Sequence, residues 1–178
     1  LPGQTVQIKD HVVYLDGKPN KEPQNVQYNY RISLKNSIPD ELVRQLGLSQ
    51  EDLQGAVARG GVMPLTNEAY QELSKRKDIV EHISYEPAND TEGIYPWNQI
   101  TGWTADNYGP VWIPAKGKTI ELTAENIAVY ERPIRVYEGN DLQIKSDGRI
   151  YINGKQATSY TFKMDYYWMM GDNRHNSE

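Results

Sequence analysis

The sequence predicts an α+β protein that is mainly antiparallel β-structure with a helix-bearing α/β insertion. The prediction depends on an alternating apolar segment at residues 26–35, two hairpin-like segments far apart in the chain, and a series of helix-cap signals over residues 39–77. We expect the β-rich core to comprise residues 1–36 and 105–178, with one helix near 123–138. The insertion and its connecting loop then comprise residues 37–104.

Two segments predict β-hairpins of the same design. Residues 6–18 read V-Q-I-K-D-H-V-V-Y-L-D-G-K, and residues 142–155 read L-Q-I-K-S-D-G-R-I-Y-I-N-G-K. Each is strand, tight turn, strand, and each ends on Asp-Gly or Asn-Gly, dipeptides that tolerate positive φ. Two copies are too few for a repeat array, which needs at least three stacked units. We therefore expect two separate hairpins.

Further strands are expected from alternation and from short apolar runs. Residues 26–35 alternate strictly between apolar and polar side chains, as in a half-buried strand. Shorter strands are expected at 79–85, 111–114 and 119–122. A last strand is expected at 160–170, where one face stays apolar and the other becomes apolar toward Gly171. Burial should therefore increase toward Gly171.

Helices are expected where cap and stop signals bracket a segment. Pro39 and Gly47 bracket the first, Ser49 caps a second that carries Leu53 before Gly55, and Thr66 caps a third that ends near residues 75–77. Thr123 caps a fourth helix that extends toward Glu138. Pro133 should kink or divide it, because proline lacks the N–H donor and clashes with the preceding turn.

Composition narrows the classes of function. The 178-residue chain carries a net charge of −5, which argues against a nucleic-acid phosphate backbone as its partner. It has no cysteine, so disulfides, thiol catalysis and Cys-based zinc sites are excluded. No stretch approaches the ~20 apolar residues that cross a bilayer. The absence of an initiator Met and of a signal peptide is expected for a segment excised from a longer protein.

Histidines and aromatic residues supply no clear site. His11, His82 and His175 lie singly, without metal-ligand spacing, so neither a metal nor a cofactor is expected. The chain also has an aromatic-rich stretch that could stack on sugars or lie at a lipid interface. We favour packing of these rings onto the sheet. The stretch contains Trp97, Trp103, Tyr108 and Trp112.

The most specific motif lies in the last residues. Residues 169–177 read M-M-G-D-N-R-H-N-S after an aromatic segment. Taken alone, a Gly-Asp-Asn cluster is ordinary turn composition. The complete string resembles the last conserved box of bacterial type I signal peptidases. Leu1-Pro2-Gly3 before a hairpin is similar to the end of the family's lysine-bearing box, although Gln4 stands where the family usually has Asp. The string N-Y-G-P-V-W-I-P-A-K-G at 107–117 resembles long-insert members.

The resemblance implies a signal-peptidase-like β core and, in the complete enzyme, a Ser/Lys dyad. A free lysine has a pKa of about 10.4 and is protonated at neutral pH, whereas burial lowers that pKa and makes lysine usable as a general base. Matching residue by residue, Ser177 hydrogen-bonds the lysine and orients it. Gly171, Asp172, Asn173 and Arg174 form the supporting turn, Asp172 and Arg174 through polar contacts.

The reacting groups themselves are not expected on this chain. The family's S-M-x-P string precedes the lysine box, and no such string occurs between Leu1 and Glu178. The D-S-R continuation of the last box is also absent. We therefore expect an extracytoplasmic, non-catalytic fragment without a nucleophile or general base. The parent would be anchored in the cytoplasmic membrane by segments outside this chain, with this region on the periplasmic side, and would bind signal peptides of exported pre-proteins.

Two other functions fit the same residues. The chain could be a non-enzymatic β-rich binding module in which the Gly-Asp-Asn-Arg turn is incidental. It could also belong to an endopeptidase of the same dyad class that acts on other substrates. The sequence that flanks this chain in its gene distinguishes the binding module from the signal peptidase. Substrate profiling distinguishes the other endopeptidase from the signal peptidase.

Overall fold

The computed structural model describes residues 1–97 and 100–177. Within these residues the chain forms twelve strands, four α-helices and one π-helical segment. The strands in chain order are β1 Thr5–Lys9, β2 Val12–Leu15, β3 Lys18–Pro19, β4 Gln27–Leu34, β5 Val62–Thr66, β6 Val80–Tyr85, β7 Tyr108–Trp112, β8 Thr119–Glu121, β9 Leu142–Ile144, β10 Ile150–Ile152, β11 Lys155–Gln156 and β12 Ser159–Thr161. The helices are α1 Asp40–Gln45, α2 Gln50–Ala58, α3 Asn67–Lys75 and α4 Ile127–Arg132, and the π-helical segment is Pro133–Tyr137.

The described strands pair antiparallel throughout their sheets. The sheet orders are β3-β2-β1-β7, β11-β10-β9, β12-β8 and β5-β4-β6. The helices lie between strands in the chain without imposing parallel crossovers. The prediction of a mainly antiparallel α+β protein is confirmed at this level.

The chain groups into two compact units. The first contains Leu1–Asn20 and Asp90–Met169, and the second contains Lys21–Asn89 and Met170–Glu178. β4 pairs with β5 and β6, which lie in the second unit with it. The sequence predicts a different kind of division, between a β-rich core and an insertion with boundaries at residues 36 and 104. It stays a prediction, because compactness alone does not show which parts fold independently.

Both predicted hairpins form in the first unit. β1 pairs with β2, and β9 pairs with β10. The Asp-Gly and Asn-Gly dipeptides then turn the chain into a third strand, with φ of 50° and 77° at Asp16 and Gly17, and of 52° and 79° at Asn153 and Gly154. Positive φ at both central residues is the geometry that suits a two-residue hairpin turn. The same turn chemistry therefore operates at both places.

The core of the first unit is built around Phe162, the only phenylalanine of the chain. Its side chain is 1% exposed. The rings of four residues lie around it, with centroid distances of 5.3 to 6.1 Å. These residues are Trp112, Tyr130, Tyr160 and Tyr166. The tilted and edge-on ring contacts are those that aromatic quadrupoles favour.

The helix expected from Thr123 begins later and divides where proline predicts. Thr123 caps a preceding turn, in which its Oγ1 accepts a hydrogen bond from the Asn126 N–H at 3.2 Å. α4 starts at Ile127, and the chain changes from α-helical to π-helical at Pro133. Proline lacks the N–H that would continue the α-helical ladder, and a π-helical turn is one of the local adjustments seen at such breaks.

The prediction of a strand at 160–170 is wrong beyond residue 161. β12 ends at Thr161, and the N–H groups of Lys163 and Met164 donate to the Glu138 carboxylate instead of a neighbouring strand. The expected increase in burial toward Gly171 is wrong as well, since Tyr167 and Met169 are 63% and 83% exposed. A side-chain acceptor from a distant part of the chain interrupts the ladder, which strand periodicity does not reveal.

The second unit has one apolar core beneath its sheet. Along β4, Tyr28, Tyr30 and Ile32 are buried and pack with residues from β5, β6 and the helices. The predicted caps form: the Ser49 side chain accepts from the Asp52 N–H, and the Thr66 side chain accepts from the Ala69 N–H. Gly55 lies inside α2 rather than after it.

β5 was not predicted from the sequence. It is a short buried run interrupted by Pro64, a residue that argues against a central strand. β5 lies at the edge of its sheet, where proline is tolerated because the edge needs fewer N–H donors.

Gly61 provides a test of backbone packing in the second unit. Its φ is +89°, and a Cβ there would lie 2.7 Å from the Ile32 carbonyl oxygen of β4. We expect Gly61→Ala to lower the free energy of unfolding by about 2–4 kcal/mol, through left-handed strain and a backbone clash. Gly60→Ala is the matched control, with φ +63° and its nearest atom the Arg31 Nη1 at 3.9 Å. Equal losses in urea denaturation of the two variants would contradict the clash.

Candidate functional site

Residues 171–177, called the terminal turn below, form an ordered structure in the second unit. The backbone of this turn is held on β4 by two hydrogen bonds. The Gln27 N–H donates to the Asp172 carbonyl oxygen at 2.8 Å, and the Arg174 N–H donates to the Gln27 carbonyl oxygen at 3.0 Å. Gln27 and Asn173 thereby form a parallel bridge. The backbone on both sides of Asn173 is thus fixed to a strand.

Asn173 also organises the turn internally. Its carbonyl oxygen accepts from the N–H groups of Asn176 and Ser177, at 3.2 and 2.9 Å. The Asn176 amide donates to the side-chain oxygens of Asn173 and Asn29, at 2.7 and 2.9 Å. One helical-type turn therefore closes over residues 173–177 and connects a second time to β4.

Gly171 and Ser177 are in close contact within the terminal turn. A Cβ on Gly171 would lie 2.0 Å from the Ser177 Oγ and 2.4 Å from the Ser177 Cβ. Arg174 Nη1 donates to the Gly171 carbonyl oxygen at 2.8 Å. A side chain at position 171 would displace the Ser177 side chain, and this effect is steric and does not depend on positive φ.

A cluster of charged and phenolic groups lies beside the turn. The Tyr28 hydroxyl donates to the Glu22 carboxylate. Burial raises the pKa of Tyr28 well above its ordinary value, Glu22 raises the pKa further, and Arg174 opposes both effects. Arg174 Nε is buried without a hydrogen-bond partner in the described part of the chain. The Arg174 guanidinium therefore interacts with the Tyr28 hydroxyl and also donates to the Gly171 carbonyl oxygen within the turn.

His175 was not predicted to matter, and it is the side chain that connects the terminal turn to two strands. Its Nδ1 accepts from the Asn29 N–H at 3.2 Å, and its Nε2 lies 3.2 Å from the Tyr85 hydroxyl. Its ring packs against Tyr28 and Tyr85, with centroids 5.4 and 5.7 Å away. The sequence showed only an isolated histidine, because Asn29 and Tyr85 lie 146 and 90 residues away in the chain.

The structure brings the five predicted site residues into this one turn. Gly171, Asp172 and Ser177 are exposed, whereas Asn173 and Arg174 are half-buried. Backbone hydrogen bonds and the side chains of Asn173 and Arg174 stabilise the turn, and Ser177 lies at the surface. An exposed hydroxyl on a fixed backbone can donate to or accept from one further group.

The Leu1 end belongs to the first unit and is ordered by β7. The Gly3 N–H donates to the Ile113 carbonyl oxygen at 2.7 Å, and Trp112 Nε1 donates to the Gly3 carbonyl oxygen at 3.0 Å. The Gln4 amide donates to the Asp16 carboxylate at 3.2 Å. Gln4 therefore has a hydrogen-bonding role here, in the place where the resemblance would have an aspartate.

Other candidates have ordinary surroundings. Trp103 packs on the buried Tyr108, with ring centroids 4.6 Å apart, and Trp112 is bonded to Gly3, so these rings pack as expected. Trp97 differs, being 57% exposed. Over residues 1–97 and 100–177, no group of three or more His, Asp or Glu is arranged to hold a metal ion. The helices of that part are also all too short or too polar to cross a membrane.

Comparison with known proteins adds no relative: no family model, no curated protein and no solved structure matches this chain. The fold and the site by themselves define a class, which is an α+β protein with antiparallel sheets and an ordered polar turn at residues 171–177.

Proposed function

We propose that this chain is a non-catalytic extracytoplasmic region of a type I signal peptidase. The complete enzyme cleaves signal peptides from exported pre-proteins at the cytoplasmic membrane, with a serine nucleophile and a lysine general base located outside residues 1–178. The β-rich part of this chain corresponds to the signal-peptidase-like core, on the periplasmic side. No cofactor is required by this chemistry.

One observation carries the proposal: the G-D-N-R-H-N-S string is built as an ordered turn that presents Ser177. The Ser177 N–H donates to the Asn173 carbonyl oxygen and its side chain lies against Gly171, while the residue as a whole is exposed. A serine that orients a neutral lysine needs this arrangement, because its hydroxyl must be positioned by backbone and still reach another group. Gly171, Asp172, Asn173 and Arg174 supply the fixed backbone.

The first test reads the gene on both sides of the codons for Leu1 and Glu178. The proposal expects Ser-Met-x-Pro and a lysine-bearing box upstream, and an Asp-Ser-Arg continuation downstream. A flanking sequence of unrelated character would leave a non-enzymatic β-rich binding module as the better interpretation. The chain alone is expected to show no turnover of a signal-peptide substrate, and clear turnover would contradict the assignment.

The second test is kinetic and uses the full-length enzyme. We expect Ser177→Ala to lower kcat by roughly 10- to 100-fold with little change in KM, because a badly oriented general base loses part of its 10²–10⁴-fold contribution. The acidic limb of the pH–rate profile, which reports the lysine pKa, should shift at the same time. Ser177→Thr should restore part of the rate, because it keeps the hydroxyl.

The matched control is Ser146→Ala, at an exposed turn of the first unit, which should leave both kcat and the pH profile unchanged. Equal kinetics of Ser177→Ala and the parent enzyme would remove Ser177 from the mechanism. Profiling with peptides that lack signal-peptide character separates signal peptidases from other endopeptidases of the dyad class.

A further inference from the structure

Two adjoining cavities lie in the first unit, on either side of the segment that holds Tyr95 and Trp97. Both residues line both cavities. One cavity, of about 260 Å³, runs along α4 and has Arg132 and Arg135 in its wall. The other, of about 170 Å³, is open to the surface and is lined mainly by apolar and aromatic side chains. A ligand that occupies both has to be charged at one end and apolar at the other.

The apolar cavity has the size of one side chain. Its wall includes Val111 and Ile113 near β7, Val129 of α4, and the rings of Tyr166 and Trp168. An apolar cavity of roughly 150 Å³ accommodates one benzene molecule. The cavity of about 170 Å³ therefore accepts one aromatic or large aliphatic group, which is less than an acyl chain would fill.

In the cavity along α4, one of the two arginines has no carboxylate partner among the described residues and can pair with a ligand. Arg135 is paired with Glu131 at 2.8 Å and also donates to the Leu142 carbonyl oxygen. Arg132 donates through Nε to the Tyr137 hydroxyl at 2.9 Å. Within the described residues Arg132 has no carboxylate partner. Its charge is therefore available to an anion, and a carboxylate matches the fork of a guanidinium.

Trp97 is held between the two cavities in a costly conformation. Its φ is +35°, in the region where a bulky residue loses about 1–2 kcal/mol. Trp97 is 57% exposed, and the Arg132 guanidinium lies over its ring with Cζ 5.0 Å from the ring centroid. Strained backbone is concentrated where proteins contact ligands, and exposed Trp beside Arg is the composition of energetic centres in interfaces.

We propose that these cavities bind an extended peptide of a partner protein, with a carboxylate side chain on Arg132 and an aromatic or large aliphatic side chain in the apolar cavity. The peptide crosses Trp97 between its two anchors. Because Tyr95 and Trp97 line both cavities, the cavities are neighbours, and two anchor side chains close together in an extended peptide can reach both. This inference is independent of the proposed protease function.

Charge favours a peptide over an anionic membrane surface. Polybasic attachment to such membranes uses clusters of 4–8 Lys or Arg, whereas this surface has two arginines and one of them is neutralised by Glu131. The chain as a whole carries a net charge of −5, which disfavours approach to an anionic bilayer. A single localised carboxylate is the anion that fits.

The test measures fluorescence polarisation of Gly-Asp-Ala-Phe-Gly-amide, which carries a fluorophore on its N-terminal amine, with the full chain. We expect saturable binding with Kd on the order of 10⁻⁴ M, as for a single anchor and one charged contact. Replacing the peptide's Asp by Asn, or its Phe by Ala, should weaken binding about 10-fold each. Binding should also weaken with added salt.

Variants of the protein locate the site. Arg132→Gln and Trp97→Ala should each weaken binding about 10-fold. Arg149→Gln is the matched control: Arg149 is 61% exposed, pairs only loosely with Asp147 at 3.4 Å, and lies outside the lining of both cavities. Arg132→Glu should instead prefer a peptide in which Lys replaces Asp. Circular dichroism checks that each variant folds. Because the Trp97 ring is largely exposed, Trp97→Ala is the variant least expected to disturb the fold.

Two results would overturn the proposal. The first is absence of saturable peptide binding into the millimolar range, or binding that Arg132→Gln and Trp97→Ala leave unchanged. The second is sedimentation with phosphatidylglycerol vesicles that the same two variants abolish, in the absence of peptide binding. That result would assign the surface to a lipid.

Discussion

Replacing Glu138 by alanine is expected to lower the free energy of unfolding by about 3 kcal/mol. Its carboxylate accepts from the hydroxyls of Tyr160 and Tyr166, at 2.6 and 3.2 Å, and from the N–H groups of Lys163 and Met164. Hydrogen bonds to a charged group contribute about 1.5–3 kcal/mol each and do not add within one network. Thermal unfolding should shift downward by about 6–12 °C.

Glu131→Ala is the matched control for this loss. Glu131 lies in α4, whereas Glu138 follows the π-helical segment, and the main contact of Glu131 is a half-exposed pair with Arg135 at 2.8 Å. Such an i,i+4 pair is worth about 0.5 kcal/mol or less. If Glu131→Ala and Glu138→Ala destabilise the protein equally, Glu138 does not hold residues 163–166 in the way described.

The same carboxylate predicts an alkaline effect. Burial first, and then the hydrogen bond to Glu138, raise the pKa of Tyr160 to about 12 from its ordinary 10.0. A raised folded-state pKa contributes stability that is complete below pH 10 and is lost as the pH rises through 12. We therefore expect the free energy of unfolding to fall between these pH values, and to fall less in Glu138→Gln, whose Tyr160 pKa should move toward 10.0.

Tyr95 is the internal control for that experiment. Burial raises the pKa of Tyr95 to about 12 as well, with Tyr137, Arg132 and Glu131 as its main charged or phenolic neighbours. Its titration, followed by tyrosinate absorbance with single Tyr→Phe variants for assignment, should be the same in Glu138→Gln. A lower pKa of both Tyr160 and Tyr95 in Glu138→Gln would indicate a general loosening of the first unit rather than the loss of one acceptor.

Replacing His175 by alanine is expected to loosen the attachment of the terminal turn to the sheet. The variant loses the acceptor of the Asn29 N–H, the partner of the Tyr85 hydroxyl and two ring contacts. We expect a loss of about 1–2 kcal/mol in the turn, seen as roughly 10-fold faster hydrogen exchange of the Asn29 and Arg174 amides.

Two further variants separate the causes. His175→Asn keeps an acceptor near the position of Nδ1 and should preserve part of the protection at Asn29. His82→Ala removes an exposed histidine whose Nε2 lies 3.2 Å from the Ser84 hydroxyl, and should change exchange little. Unchanged protection in His175→Ala would show that the hydrogen bonds of Gln27 and Asn176 hold the turn without the imidazole. In the full-length enzyme, the proposed function expects the effects of His175→Ala and Ser177→Ala on kcat to be less than additive.

The sequence by itself determined the elements that depend on near neighbours in the chain. Asp-Gly and Asn-Gly specify positive-φ turns, and Ser49 and Thr66 cap helices through N–H groups three residues later. Pro133 changes the helix through its own missing N–H. These interactions are complete within a few residues, so the turns, the caps and the helix break could be predicted, and the alternating strand pattern added the antiparallel α+β class.

Only the tertiary structure decided the features whose partners lie far away in the chain. Glu138 ends the last strand from 25 residues away, β5 exists because β4 offers it an edge, and His175 acquires its role from Asn29 and Tyr85. The surface around Trp97 and Arg132 likewise arises where two segments meet. A hydrogen-bond acceptor or an edge supplied by a distant segment leaves no periodic pattern in the local sequence, because its energy comes from the contact that folding creates.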